Sequence, residues 1–236
     1  MTAMSEGGIE TTLKLFLRIA ERLPVTLTML LASLVFGLLL GALIAFVRIQ
    51  KRRIPYAIAT FYLSFMRCTP TIVQLFLVYY GLPQLLKLIG IDVNGWDKLI
   101  FAIITFSLHS AAFFSEVIRS AYLAVGSGQQ EAAYSVGMSF GQSLWRIILP
   151  QAFGIAIPSM GNQVIILLKE TSLAFSIGIT DIMGQVQIII GNNYGANIFQ
   201  VYILVSLIYW MLSLIIEKGF GRLEKVYKRG HAGLAR

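Results

Sequence analysis

Residues 23–47 read LPVTLTMLLASLVFGLLLGALIAFV, a run without one charged side chain. About 20 apolar residues in a helix suffice to cross the hydrocarbon of a bilayer, so this run predicts a membrane-spanning helix. Gly37 and Gly41, four apart on one face, predict a place where another helix comes close. The rest of the chain has the same character. Of 236 residues 57% are hydrophobic and 13% charged, and the mean hydropathy is +0.76, too apolar for a soluble globular chain. The net charge of +8 points to no nucleic acid, because the basic residues gather beside the apolar runs, where the positive-inside bias puts them. A single cysteine, Cys68, excludes an internal disulfide. Met1 to Glu21 carry three acids and lack a short apolar run with a small-residue cleavage site, so no removable signal peptide is expected.

Working outward, Ile9, Leu13, Phe16, Leu17 and Ala20 recur at helical spacing among Lys14, Arg18, Glu21 and Arg22. That pattern predicts an amphipathic helix lying in the membrane interface. Downstream, Arg48, Lys51, Arg52 and Arg53 close the first span. A second apolar run, Ile54 to Leu82, is interrupted by Arg67-Cys68-Thr69-Pro70. Pro70 removes a backbone donor and crowds the preceding turn, which predicts a kink or break. Arg67 reads either as a structural arginine that snorkels or pairs, or as a pathway residue beside exposed backbone. Residues 83–98 form an outer loop anchored by Trp96, and Leu99 to Ala121 make a third span. Glu116 and Arg119 are three apart there, close enough to pair. His109, at mid-span, is either a packing histidine or a cavity-lining one. Ile147 to Leu168 cross again, Asp181-Ile182-Met183 start a shorter segment, Gly191 to Asn197 turn, and Phe199 to Ile216 make the last span. Twelve basic residues then fall inside and five outside if the N-terminus is outside and the C-terminus cytoplasmic, as the charge bias requires.

One polar-to-amphipathic interval separates the third and fourth spans: Glu131-Ala132-Ala133-Tyr134-Ser135-Val136-Gly137, continuing through Ser139-Phe140-Gly141-Gln142 to Leu149-Pro150. Ser127 with Gln130, and Ser139 with Gln142, each have the form of a capping box. Gly137 stands where a helix would stop. The expected product is a helix–turn–helix knob showing Ala132, Ala133, Tyr134, Val136, Met138, Phe140 and Leu144 along its flanks.

Glu-Ala-Ala at 131–133, Gly137 and Leu149-Pro150 twelve residues beyond it resemble the EAA loop of ABC-importer permeases. The resemblance runs from about Leu23 to Lys218 and is carried also by Arg67-Cys68-Thr69-Pro70, where the family has Arg-Gly-Thr-Pro, and by Lys169-Glu170-Thr171-Ser172. It implies an all-α membrane protein of five transmembrane helices with the MetI-like type I importer fold, in a bacterial cytoplasmic (inner) membrane. Residues 1–22 would then be an N-terminal amphipathic segment, 23–218 the transmembrane domain with its coupling loop at 127–150, and 219–236 a basic cytoplasmic tail. It further implies that Glu131, Ala132, Ala133, Gly137, Met138, Leu149 and Pro150 dock on a separate cytoplasmic ATPase. ATP and Mg would be bound by that partner, with no cofactor in this chain. No G-x-x-x-x-G-K-[ST] occurs in the sequence, so the chain has no P-loop of its own. It holds no metal-ligand cluster or nucleophile–base pair either, so an enzyme is not expected.

The likeness is nearest to the polar amino-acid branch, with cystine-type permeases similar around Leu173 to Gln185. That implies an amino-acid substrate delivered by an extracytoplasmic solute-binding protein. Five helices are few to enclose a path, which predicts a second permease copy, a homodimer being favoured over a sibling chain. A zwitterion needs an anion for its ammonium and donors for its carboxylate. The candidates are Glu170 with Lys169, Thr171 and Ser172, together with Asn162 and Gln163 two turns earlier, and His109, Arg67 and Thr69. Bracing of a subunit interface by Lys169 and Glu170 is the other reading. A permease for another small polar solute, or in another class an ATP-independent carrier, stays open at this stage.

Overall fold

The computed structural model describes residues 2–195 and 197–231; Arg236 of the basic tail lies outside the described residues. Among the described residues eleven α-helices follow in order. They are α1 Thr2–Ala20, α2 Leu23–Gln50, α3 Arg53–Cys68, α4 Thr71–Phe76, α5 Leu82–Lys87, α6 Lys98–Ala124, α7 Ser127–Ser135, α8 Phe140–Ser143, α9 Leu149–Glu170, α10 Ile182–Asn192 and α11 Ile198–His231. A π turn, Leu77–Gly81, joins α4 to α5, another, Leu144–Ile148, joins α8 to α9, and a 3₁₀ turn, Thr171–Ile177, follows α9. Among the described residues four stretches are long and apolar enough to cross a membrane: Glu10–Gln50, Lys98–Ala124, Phe140–Ile177 and Ile198–Lys228. Arg53–Cys68 with Thr71–Lys87 makes a fifth if the bent pair is one span. The break falls at Thr69-Pro70, where the proline was expected to place it.

The chain divides into two compact units. The first comprises Met1–Leu34, Pro70–Phe106 and Ile166–Leu214. Its core joins Leu15 and Ile19 of α1 to Ile182, Val186 and Ile189 of α10 and Val201, Leu204, Val205 and Ile208 of α11. The buried face of the N-terminal helix therefore differs from the apolar face expected from its spacing. Leu15 and Ile19 are buried against protein while Leu13 and Leu17 stay exposed, because α10 supplies an apolar partner. Asp181 caps α10 by accepting the Gly184 N–H at 2.8 Å. The Ile182 N–H donates to the Thr26 hydroxyl at 3.3 Å, so α2 helps to satisfy a helix end that would otherwise be an orphan.

The second unit comprises Val35–Thr69, Ser107–Ile165 and Ile215–Arg236. Gly41 faces α6 so closely that a Cβ built on it would stand 2.9 Å from the Phe114 Cβ and 3.0 Å from the Ala111 carbonyl oxygen; the small-residue pair serves helix packing. The same device recurs between α9 and α11. A Cβ on Gly154 would meet the Tyr227 ring at 2.7 Å and one on Gly161 the Phe220 ring at 2.9 Å. Tyr227 also sets its ring edge-on to Phe153, 5.5 Å between centroids, and its hydroxyl donates to the Pro150 carbonyl. These sockets explain why the last helix runs on to His231 instead of ending near Ile216: Phe220 and Tyr227, seven apart, seat on glycines seven apart.

Candidate functional site: a capped helical knob and the end of α9

The interval between the third and fourth spans is built by backbone satisfaction. α7 ends in a Schellman motif: the Met138 N–H donates to the Ala133 carbonyl at 3.1 Å and the Gly137 N–H to that of Tyr134 at 2.9 Å. Gly137 takes φ +80°, the left-handed value that only glycine adopts without cost. The second expected capping box is present, with the Gln142 N–H on Ser139 Oγ at 3.3 Å and the Ser139 N–H on Gln142 Oε1 at 2.9 Å. The first is not. Gly126, at φ +81°, occupies the N-cap of α7 and Ser127 lies inside the helix, because the chain leaving α6 needs a left-handed residue at that point.

A further correction concerns what the knob shows. Ala133, expected on a flank, is only 2% exposed, because α8 and the following π turn fold back over α7. Ala132 and Glu131 remain exposed, Met138 is half-buried, and Leu149 and Pro150 are half-buried at the start of α9. Val136, 77% exposed, Tyr134 and Phe140 are exposed as expected, and Trp145, 73% exposed, adds to that apolar surface. Trp145 escaped the sequence reading, although an aromatic residue at the close of a polar loop is a usable signal.

At the end of α9 the neighbours Lys169 and Glu170 diverge. Glu170 is half-buried and accepts a hydrogen bond from the Thr71 hydroxyl at 3.1 Å, which ties it to the residue just after Pro70. Lys169 is exposed and lies on a cavity of about 530 Å³ shared with Ser172, Tyr202, Tyr209 and Ser213. Thr171 is fully buried and donates to the Leu168 carbonyl, while the Ser172 hydroxyl donates to that of Lys169 at 2.6 Å.

The remaining candidates belong to the second unit. Asn162 is exposed and Gln163 half-buried. His109 is buried with its ring 5.0 Å from that of Phe113. Thr69 donates to the Phe65 carbonyl at 2.8 Å, and Arg67 is exposed. There too the expected Glu116–Arg119 pair forms, and Arg48 joins it, its Nη1 2.5 Å from Glu116 Oε2 and its guanidinium 5.9 Å from the Tyr56 ring centroid. Local spacing could not show a partner 68 positions away.

An all-α chain of membrane-crossing helices that interrupts them with a doubly fastened, apolar-faced knob has the build of a transporter's membrane subunit. The chain belongs to the family described as binding-protein-dependent transport system inner membrane component, whose model matches residues 37–226. It is 45% identical to the L-cystine transport system permease protein TcyL of Bacillus subtilis (strain 168) over 207 residues, 88% of this chain and 86% of that protein. Among solved structures, one of an amino acid ABC transporter with histidines matches with a TM-score of 0.80 and 30% identity, covering 91% of this chain and 96% of that one. An inward-facing form of the MetNI methionine ABC transporter matches with a TM-score of 0.69 over 89% of this chain and 96% of that one; at 20% identity this is a likeness of fold. The chain is therefore a multi-pass inner-membrane subunit of an ABC importer with the MetI-like type I fold.

Proposed function

We propose that this chain is the permease of an ATP-driven amino-acid importer, taking a polar amino acid from an extracytoplasmic solute-binding protein, with L-cystine as the narrower assignment. A separate cytoplasmic ATPase binds ATP and Mg and docks on α7 and α8, so the N-terminus lies outside and the C-terminus in the cytoplasm. Two copies of the chain enclose the path. The observation that carries this reading is the knob: a short helix stopped by a Schellman turn and restarted by a capping box, with Val136, Trp145, Tyr134 and Phe140 exposed on its surface. A loop that only connected two spans would need neither fastening nor apolar display, whereas a handle gripped by a partner needs both. Identity to TcyL over 88% of the chain supports the substrate class. Glu170, held by Thr71, is assigned to the solute's ammonium, with Lys169, Ser172, Gln163 and Asn162 as polar neighbours of the path.

The test is reconstitution. Proteoliposomes holding this chain with its ATPase take up labelled L-cystine only when ATP and the solute-binding protein are present, and this chain alone takes up none. Uptake by the chain alone would replace the importer with an ATP-independent carrier. ATP-driven uptake of a different polar solute in a competition screen would move the substrate and leave the rest standing.

A further inference from the structure

Helix α3 has three faces. Ala59 and Leu63 are buried, and Ile54, Ile58, Phe61 and Phe65 stand exposed, fit for lipid. On the third face Arg53, Tyr56, Thr60, Ser64 and Arg67 recur every three or four residues, so they line up as one polar stripe. Within a membrane-spanning helix such a stripe is costly against lipid and belongs on a water-filled, protein-lined path. A groove of about 360 Å³ follows it, lined by Arg48, Thr60, Leu63, Ser64, Arg67 and Cys68.

The charges facing this groove are Arg48 and Arg67. Arg48 has Glu116 as counter-charge, but Glu116 also serves Arg119, so the three together keep one positive charge and Arg67 adds a second. Arg48 Nη1 is held by Glu116 at 2.5 Å, and its buried Nε has no hydrogen-bond partner among the described residues. A groove whose facing side chains keep a net positive charge attracts an oxyanion, and arginine is the side chain best suited to hold a carboxylate.

We propose that this groove is a carboxylate-binding subsite for the transported solute, with Arg48 and Arg67 as its cations and Ser64 as a neutral hydrogen-bonding group. It rests on the reading of the chain as an amino-acid permease and adds to it a place where the solute's carboxylate is received. Arg48 is fixed by Glu116 and by stacking on Tyr56, whereas exposed Arg67 is free to follow the passing anion.

Cys68, the one cysteine of the chain, is exposed and lines the groove, so it reports on the groove without engineering. The complex with cysteine-free partner subunits is placed in nanodiscs of phosphatidylcholine. Cys68 is then modified with an anionic and a cationic methanethiosulfonate, each rate being normalised to the same reagent on free 2-mercaptoethanol. The anionic reagent reacts faster by roughly tenfold, as two nearby positive charges partly screened by salt would produce. Arg48→Gln and Arg67→Gln each reduce that ratio, and Arg67→Lys keeps it. Potassium acetate slows the modification, whereas methylammonium chloride at matched ionic strength does not. Equal normalised rates in the unaltered chain, or no protection by acetate, would overturn the proposal. Protection that tracks added phosphatidylglycerol and ignores acetate would also overturn it, by assigning the groove to a lipid headgroup. ATP-driven uptake by the same complex is scored separately. Uptake without anion preference removes the groove alone, and anion preference without uptake removes the permease reading.

Discussion

Gly137 allows the docking assignment to be tested through one backbone angle. It sits at φ +80°, and a Cβ built there would meet nothing within 4 Å, so substitution costs conformation and no clash. An L-residue held in the left-handed region loses roughly 1–2 kcal/mol. Asn tolerates the region best, and a β-branched side chain worst. The turn holds two hydrogen bonds, from Met138 and Gly137 to the carbonyls of Ala133 and Tyr134, and α7 is only nine residues long. A helix so short has little stability of its own, so the cost falls directly on the fraction of molecules with a docking-competent knob. One to two kcal/mol is a factor of about 5–30 in such a ratio. The series Gly137→Asn, Gly137→Ala and Gly137→Val is purified, and affinity for the ATPase subunit is titrated alongside solute-stimulated ATP hydrolysis in nanodiscs. Affinity should fall in that order, with Ala several-fold and Val at least tenfold weaker than the parent, while the thermal midpoint of the membrane part stays within error. A Val variant that docks as well as the parent, or an Asn variant as poor as Val, would refute the argument that this turn presents the handle.

Three further outcomes follow from the same packing. Glu116→Gln leaves the Arg48 and Arg119 guanidiniums without a counter-charge and should destabilise the chain by about 1–3 kcal/mol, below the full cost of breaking a buried pair because Glu116 keeps some solvent; a thermal scan checks it, and adding Arg48→Gln should recover part of the loss. Gly161→Leu drives a side chain into Phe220, where a Cβ already stands at 2.9 Å, and should cost about 1–3 kcal/mol; an unchanged melting temperature would show that α11 does not seat on α9. Glu170→Gln should reduce ATP-driven uptake at least tenfold while the complex still assembles, with Thr71→Val reducing it less. If both variants instead abolish assembly on a sizing column, the Thr71–Glu170 bond is a brace and the ammonium goes elsewhere.

What was legible in the sequence was whatever depends on neighbours along the chain. Charge-free runs mark the crossings, Pro70 marks the break, and Ser139 with Gln142 marks a helix start, because hydropathy, ring closure and capping act within a few residues. What escaped depends on chain segments far apart. Arg48 is 68 positions from Glu116, and Tyr227 is 77 from the Pro150 carbonyl it holds. Gly154 and Gly161 of α9 gain their meaning only when Tyr227 and Phe220 arrive to fill the space above them. Ala133 was misplaced for a related reason. A helix of nine residues has a face, but which face turns inward is decided by how α8 folds back on it. Gly126 displaced the first capping box because the exit from α6 requires a left-handed residue, and no side-chain cap at Ser127 competes with that.

The hydroxyls show most clearly why candidate residues chosen by type need geometry to sort them. Without water in the hydrocarbon, a serine or threonine on a spanning helix is satisfied most cheaply by a carbonyl three or four residues back. Thr28, Thr60 and Thr105 do this at four residues, and Ser115, Ser120 and Ser176 at three. Thr171, Ser172 and Thr69, all chosen from the sequence as polar groups for the solute, do the same. Thr71 does not. It stands at the first position after Pro70, where a new helix has no preceding carbonyls of its own, and its proton is directed to Glu170 across 99 residues. A hydroxyl already committed to its own helix holds the backbone and has one proton fewer to offer a ligand. The break at Pro70 thus matters less for the kink itself than for placing a hydroxyl, that of Thr71, where its partner is a carboxylate on another helix.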